Sequence, residues 1–136
     1  MARLSWCLCL GVLAMLPLGC GDDGTCKVTG TVTWNGQPLP NGDIIFNDVE
    51  GVKGPDAAKI KGGRFTAQVK PGKKRVEIRA SREVPEKRTP MGPYYEDYIP
   101  PRYNKETELT ADVTPDRPNQ LEYKLEGNDA RPSAGR

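Results

Sequence analysis

From residue 27 onward the chain consists of short segments in which apolar and polar residues alternate one by one. The clearest segment is 74–81, where charged residues alternate with Val76, Ile78 and Ala80. Segment 27–34 behaves in the same way, with threonines between Val28, Gly30, Val32 and Trp34. A period of two is typical of a β-strand that buries one face and exposes the other. Both segments therefore predict strands at the border between a core and solvent.

The same alternation predicts further strands at residues 43–47, 57–61, 64–69, 107–113 and 120–125. Turn signals separate them, among them Asn35-Gly36, Gly62-Gly63 and Pro71-Gly72. Asn-Gly and Gly-Gly pairs favour tight turns because both residues tolerate positive φ. No segment shows a helical period. The pattern predicts an all-β domain over residues 27–126, an antiparallel β-sandwich of about seven strands.

Residues 82–105 break the pattern, with five prolines between Pro85 and Pro101, and we predict a long irregular loop. Four of the five tyrosines fall there, with an arginine among them: Tyr94, Tyr95, Tyr98, Arg102 and Tyr103. One interpretation is an aromatic contact surface for a glycan, a small ligand or a protein partner. The other, which we favour, is a loop folded over an open edge of the sandwich, with the rings as anchors.

The first 19 residues differ from the rest in being almost wholly apolar. Arg3 is their only charge, and the run 4–18 is broken only by Ser5, Gly11 and Pro17. This is short of the roughly 18 apolar residues that a spanning helix needs, and it has the layout of an export signal. We predict a tether over residues 20–26 and a disordered polar tail over 127–136.

The end of this segment, Leu16-Pro17-Leu18-Gly19-Cys20, resembles the signal that precedes the lipidated cysteine of bacterial lipoproteins. Pro17 stands where that family usually has leucine. The resemblance implies that Cys20 becomes the first residue and carries a thioether diacylglyceryl group and an N-acyl chain such as palmitate. Such chains would anchor an exported protein to a bacterial membrane, on its periplasmic or cell-surface side. The alternative is an ordinary secretory signal cut near Gly19, which leaves Cys20 as a free thiol.

Cysteine usage depends on this processing. Cys7 and Cys9 leave with the signal, and Cys20 is taken by lipid, so Cys26 has no intramolecular partner in the mature lipoprotein. Cys26 is then either an intermolecular bridge or, as we favour, a small apolar residue at the edge of the core. If Cys20 is not lipidated, a disulfide between Cys20 and Cys26 becomes possible.

Four patches resemble the carboxypeptidase regulatory-like, transthyretin-like domains of small bacterial lipoproteins. They lie at residues 28–42, 63–65, 71–78 and 98–104, the last reading Tyr-Ile-Pro-Pro-Arg-Tyr-Asn. Lys74 stands where that family usually has an aromatic residue. The resemblance implies a seven-stranded sandwich with an accessory, adhesion or structural role. The carboxypeptidase of the family name is a separate domain.

Composition limits the chemistry. The chain has no histidine, which removes Ser-His-Asp and Cys-His catalysis and the usual zinc sites. It has no phosphate-binding or dinucleotide motif, and a net charge of +2 without a clustered basic face predicts no nucleic-acid partner. The strand acids, Glu77 among them, are predicted on solvent faces. We therefore expect no enzyme activity, no cofactor and no metal, and a lipid-anchored envelope domain with a structural or interaction role. The alternative is a lipoprotein that binds a glycan or small ligand.

Overall fold

The computed structural model describes residues 23–128, which form ten β-strands and one 3-10 turn. The strands are β1 Cys26–Trp34, β2 Gln37–Pro38, β3 Asn41–Asp48, β4 Asp56–Lys61, β5 Arg64–Val69, β6 Gly72–Arg79, β7 Ser81–Thr89, β8 Gly92–Asp97, β9 Thr110–Val113 and β10 Asn119–Leu125. The 3-10 turn spans Pro101–Tyr103. The predicted all-β fold is confirmed, and each of the seven predicted strands is present.

One curled sheet holds most of the strands, in the order β10-β1-β5-β4-β3-β6-β9, with the short β2 beside β1. The strands β4 and β5 pair only through Lys61 and Arg64, next to the turn that joins them. Beyond that pair the backbone ladder between β4 and β5 is interrupted, and the sheet curls there into two layers, β10-β1-β5 and β4-β3-β6-β9. Phe46 from one layer meets Phe65 from the other, with ring centroids 6.1 Å apart.

The core lies between these layers and takes the residues that the alternation pointed inward. Val76, Ile78 and Ala80 of the clearest predicted segment are all buried. Full burial of an aliphatic or aromatic side chain contributes roughly 1.5–3 kcal/mol each, so this small core accounts for much of the stability of the domain. Its largest fully buried apolar members are Phe46, Leu39, Ile44, Ile60, Ile78 and Leu125.

The order of the strands contains one feature that the sequence did not show. β1 and β10 run parallel over seven residue pairs, from Val28–Asn119 to Trp34–Leu125, whereas the other pairings are antiparallel. On the inner face of β10, the Tyr123 hydroxyl donates a hydrogen bond to the carbonyl of Thr110 in β9, at 3.1 Å. This bond joins the two outermost strands of the sheet, and burial raises the pKa of Tyr123 to about 12.

The prediction of an irregular loop over residues 82–105 is wrong for its first part. β7 and β8 pair as a two-stranded hairpin, which we call the arm, from Ser81–Asp97 at its base to Thr89–Gly92 at its tip. The pairing slips between Glu83 and Arg88. Nearly all arm residues are exposed, and both faces of the arm are polar. The sequence of the arm therefore lacks the alternation of apolar and polar residues that predicts a strand.

Glu77 is a second correction. Its neighbours on β6 alternate as predicted, but Glu77 is only 9% exposed rather than on an open solvent face. The carboxylate accepts hydrogen bonds from Asn47 at 2.9 Å and Arg79 at 2.8 Å. These partners cover the outer face of the sheet around Glu77, and they satisfy the charge that they bury.

Cys26 opens β1 as a buried residue, 2% exposed, and it is disulfide-bonded. The interpretation of Cys26 as a small buried residue at the edge of the core is confirmed for its burial, but it did not include the bond. After removal of residues 1–19, only Cys20 could serve as an intramolecular partner. A Cys20–Cys26 bridge and a lipid on Cys20 are therefore mutually exclusive states of the same sulfur.

Candidate functional site: the distal end and the arm

The two ends of the sandwich differ in what they display. We call the end where β1 begins at Cys26 the tether end, because the chain enters there. Cys26 pairs with Val69, and the turns after β3 and β5 lie at this end. We call the end where β1 stops at Trp34 the distal end. A nine-residue strand is about 30 Å long, which sets the separation of the ends.

Tyr98 and Tyr103 are packed at the distal end. The ring of Tyr98 meets Trp34 edge-on, with centroids 5.7 Å apart at 73°, and the Arg82 guanidinium lies 5.4 Å from its centroid. The Tyr103 hydroxyl accepts a hydrogen bond from the Glu126 backbone amide at 3.1 Å. Both rings pack against the core cluster, so most of their surface has neighbours within the domain.

Arg102 and Asn104 hold together the segment 98–104, which we call the corner. The Arg102 guanidinium lies 4.9 Å from the Tyr103 centroid and donates to the carbonyl of Glu126. The Asn104 amide donates to the carbonyls of Ile99 and Pro100, at 3.1 and 3.2 Å. The corner is thus built as a packed cover over the sandwich end. A ligand contact by Tyr98, Arg102 or Tyr103 stays a prediction.

Tyr94 and Tyr95 are placed differently, on the arm. Their exposed fractions are 38% and 58%. As consecutive residues of β8 they point to opposite faces of the hairpin, and Lys87 covers Tyr94 with its ammonium 5.2 Å from the ring centroid. Met91 at the tip is 98% exposed. The four tyrosines therefore do not form one platform, and a ligand contact by Tyr94 or Tyr95 also stays a prediction.

A small cleft of about 250 Å³ lies where the arm meets the sandwich. Its polar lining comes from Arg79 at the end of β6, Asp97 at the base of the arm, and Asn104 and Lys105 after the 3-10 turn. Arg79 also pairs with Glu77, at 2.8 Å. Sequence reasoning missed Arg79 and Lys105, because no local pattern brings the end of β6 to residues 104–105.

The described residues hold few groups with altered acidity. The hydrogen bonds that Thr25 donates lower the pKa of Asp23, and the Lys74 ammonium lowers the pKa of Asp48. Neither carboxyl is set up as a general acid, which would need a raised pKa. Within residues 23–128 no group of three metal-binding side chains comes together. No helix in that range has the length and apolar character to cross a membrane.

Comparison with known proteins shows no family for this chain. No protein-family model matches the chain, and no curated protein matches it. A solved structure that aligns is the 9R-lipoxygenase from Cyanothece PCC8801, with 15% identity and a TM-score of 0.37. The alignment covers 92% of this chain, which spans 18% of the length of that chain. What the coordinates define is an all-β protein with a curled, sandwich-like sheet.

The expectation that the chain is not an enzyme needs a correction. It rested on missing motifs and on the absence of histidine, whereas the solved structure that aligns is that of an enzyme. The exclusion is therefore withdrawn. At a TM-score of 0.37 the likeness assigns no activity to this chain either.

Proposed function

We propose that this protein is a lipid-anchored β-sandwich domain of the bacterial cell envelope, with a structural or interaction role exercised through the arm. The observation that carries the proposal is the separation of anchor and arm. The segment 16–20, which resembles a lipoprotein signal, ends at Cys20, six residues before Cys26 at the tether end. The arm starts and ends at the other end, where the amide of Tyr98 donates to the carbonyl of Ala80.

The finer assignment within this proposal is a carboxypeptidase regulatory-like, transthyretin-like lipoprotein. It is supported by the segments that resemble that family, which fall on strands and on the packed corner. Residues 28–34 lie in β1, 72–78 in β6, and 98–104 form the corner with Tyr98 and Tyr103. In this assignment the corner is the element that covers the sandwich end, and the arm precedes it along the chain.

We expect the protein expressed with its own signal to begin at Cys20 and to carry acyl mass. Intact-mass spectrometry and partition into the detergent phase of a Triton X-114 extract measure the two properties. Two or three acyl chains anchor a protein stably, at about 0.8 kcal/mol per buried methylene, so nearly all of it should enter the detergent phase.

The matched variant is Cys20→Ala, which should carry no acyl mass, and it should stay in the aqueous phase when its signal is cut elsewhere; an uncut apolar signal would itself draw the chain into the detergent phase, so the acyl mass is the deciding measurement. A wild-type chain without acyl mass, found in the aqueous phase, would contradict the anchor. A mass lower by two hydrogens on an unacylated chain that begins at Cys20 would identify a Cys20–Cys26 bridge. Pro17 would then be the residue that breaks the signal.

A second candidate function is the binding of a glycan or small ligand by the arm. It is favoured by the exposure of Tyr95, 58%, next to Tyr94, because exposed tyrosines are apt to stack on sugar rings and to donate hydrogen bonds. The bulged pairing of β7 and β8 leaves these rings on a ribbon that only two strands support.

Replacing Tyr94 and Tyr95 by Ala should leave the thermal unfolding midpoint within a few degrees of wild type, because the rings are exposed on the arm. The matched variant Tyr98→Ala should lower it, because that ring packs on Trp34. Differential scanning fluorimetry measures both. Binding on a glycan array that is lost in the double variant would support the second candidate, and an array without wild-type binding would count against it.

A further inference from the structure

The turn between β3 and β4 carries an exposed apolar pair at the tether end. We call residues 49–53, Val-Glu-Gly-Val-Lys, the tether-end loop. Val49 is 59% exposed and Val52 is 79% exposed. The other large hydrophobic side chains that are exposed within residues 23–128 are Met91, Tyr94 and Tyr95, all on the arm. Exposed apolar surface is thus concentrated at two places.

Asp48 holds the loop in one conformation. Its carboxylate accepts hydrogen bonds from the backbone amides of Val52 and Lys53, each at 3.2 Å, and its carbonyl accepts one from Gly51 at 3.1 Å. Gly51 takes the positive φ, 69°, that the turn requires. Because the backbone is satisfied within the loop, the two valines are displayed on an ordered turn.

Contacts along the tether end place this loop beside Cys26, where the tether meets the sandwich. The Lys53 ammonium donates to the carbonyl of Pro71 at 3.3 Å. At the other side of the turn, Asp56 binds both the backbone amide and the ammonium of Lys70, at 2.9 and 2.6 Å. Lys70 follows Val69, the strand partner of Cys26. Loop and tether therefore leave the sandwich from the same end.

The last residues of the tether are fixed to the domain, which shortens its reach. The Thr25 hydroxyl donates to Asp23 at 2.7 Å and lies 3.4 Å from Oε1 of Gln68 in β5. Cys20 precedes Asp23 by three residues, which span about 10 Å at full extension. The headgroup layer on one side of a bilayer is itself about 5–8 Å thick. An acylated Cys20 therefore brings the tether end against the headgroups.

We propose that the tether-end loop rests on the membrane surface, with Val49 and Val52 entering the headgroup layer. The inference depends on the proposed lipidation of Cys20, and it adds a second, protein-borne contact that fixes how the domain stands. Lys53 in the loop and the exposed Lys73 beside it suit anionic headgroups, and Glu50 opposes them. With this end down, the distal end and the base of the arm stand about 30 Å further out.

The test places a photo-crosslinking benzoylphenylalanine at Val52 or, as the matched control, at Gln37. Gln37 is also exposed but lies in β2 beside Trp34, at the distal end. Each variant is expressed with its own signal, and its intact mass is recorded. It is then reconstituted into vesicles of phosphatidylethanolamine and phosphatidylglycerol and irradiated. We expect lipid adducts at position 52 to exceed those at position 37 several-fold.

The outcomes distinguish failure of the surface contact from failure of the anchor. Acyl mass with equal or absent lipid adducts at positions 52 and 37 overturns the surface contact and leaves the anchor standing. A chain without acyl mass overturns both the anchor and the surface contact, because the tether then carries no lipid that would hold the domain at the membrane. A second variant, with Val49 and Val52 changed to Asp in the lipidated protein that carries the crosslinker at Lys53, should reduce its adducts. Unchanged adducts there would also overturn the contact.

Discussion

Replacing Asp48 by Asn should lower the thermal unfolding midpoint of the domain by on the order of 10 °C or more. The reason is Lys74, whose side chain is fully buried and whose ammonium lies 3.0 Å from the Asp48 carboxylate. An amide cannot neutralise that charge, and a buried charge without a counter-ion is among the costliest states in a folded protein. Circular dichroism melts of the two proteins measure the difference.

Two variants separate this explanation from a general effect of mutation. Lys74→Met removes the buried charge and fills a similar volume, so in the Asp48→Asn background it should restore most of the lost midpoint. Asp43→Asn tests a similar pair on the same strand, since Asp43 meets Lys59 at 2.6 Å but both side chains are exposed. That change should move the midpoint little. An equal loss in both Asp→Asn variants would refute the argument from burial.

The pair also predicts how the domain responds to acid. The hydrogen bond from Lys74 is the main cause that lowers the pKa of Asp48 below its ordinary value of 3.8. A carboxyl whose pKa is lowered by folding stabilises the folded state above its unfolded pKa, and loses that contribution as the pH falls through its folded pKa. The Lys74–Asp48 pair should therefore persist at pH 4 and be lost only in stronger acid.

Sequence alone predicted the parts of this fold that depend on local pattern. Segments such as 64–69 and 74–81 alternate strictly, and the strands there have nearly the predicted bounds. The alternation also accounts for a buried charge. Lys74 lies on the same face of β6 as Val76 and Ile78 and is buried with them. Its partner Asp48 lies on the same face as Phe46 on the neighbouring strand β3.

The remaining features depend on contacts between distant segments, which local pattern does not record. The parallel pairing of β1 with β10 joins residues about ninety positions apart. The arm has polar residues on both faces, so its alternation is invisible. The four loop tyrosines look alike in sequence, yet Tyr98 packs on Trp34 while Tyr95 is exposed. Which of them are anchors depends on where the chain turns after the arm.

Gly30 carries the second large expected effect, because it lies on the inner face of β1 with no space for a side chain. A Cβ built there would overlap the carbonyl oxygen of Leu121 and lie 2.7 Å from the ring of Phe65. Leu121 is the strand partner of Gly30 on β10, and Phe65 is its partner on β5. A larger residue would therefore push against both neighbouring strands at once, and Gly30→Val should leave no folded domain.

Gly30→Ala is the variant in which two opposing effects can be compared. A change from Gly to Ala at a compatible site stabilises by about 0.4–1 kcal/mol, because it restricts the unfolded chain. Overpacking in a core costs about 1–3 kcal/mol, and here the obstacle is backbone rather than a flexible side chain tip. Overpacking should outweigh the gain, and urea unfolding should show a net loss of unfolding free energy of about 1–2 kcal/mol.

Gly54→Ala is the matched control, since Gly54 has open space around it and no positive φ. It should be neutral or slightly stabilising, and a loss at Gly54 as large as at Gly30 would mean that packing against Leu121 and Phe65 is not the cause.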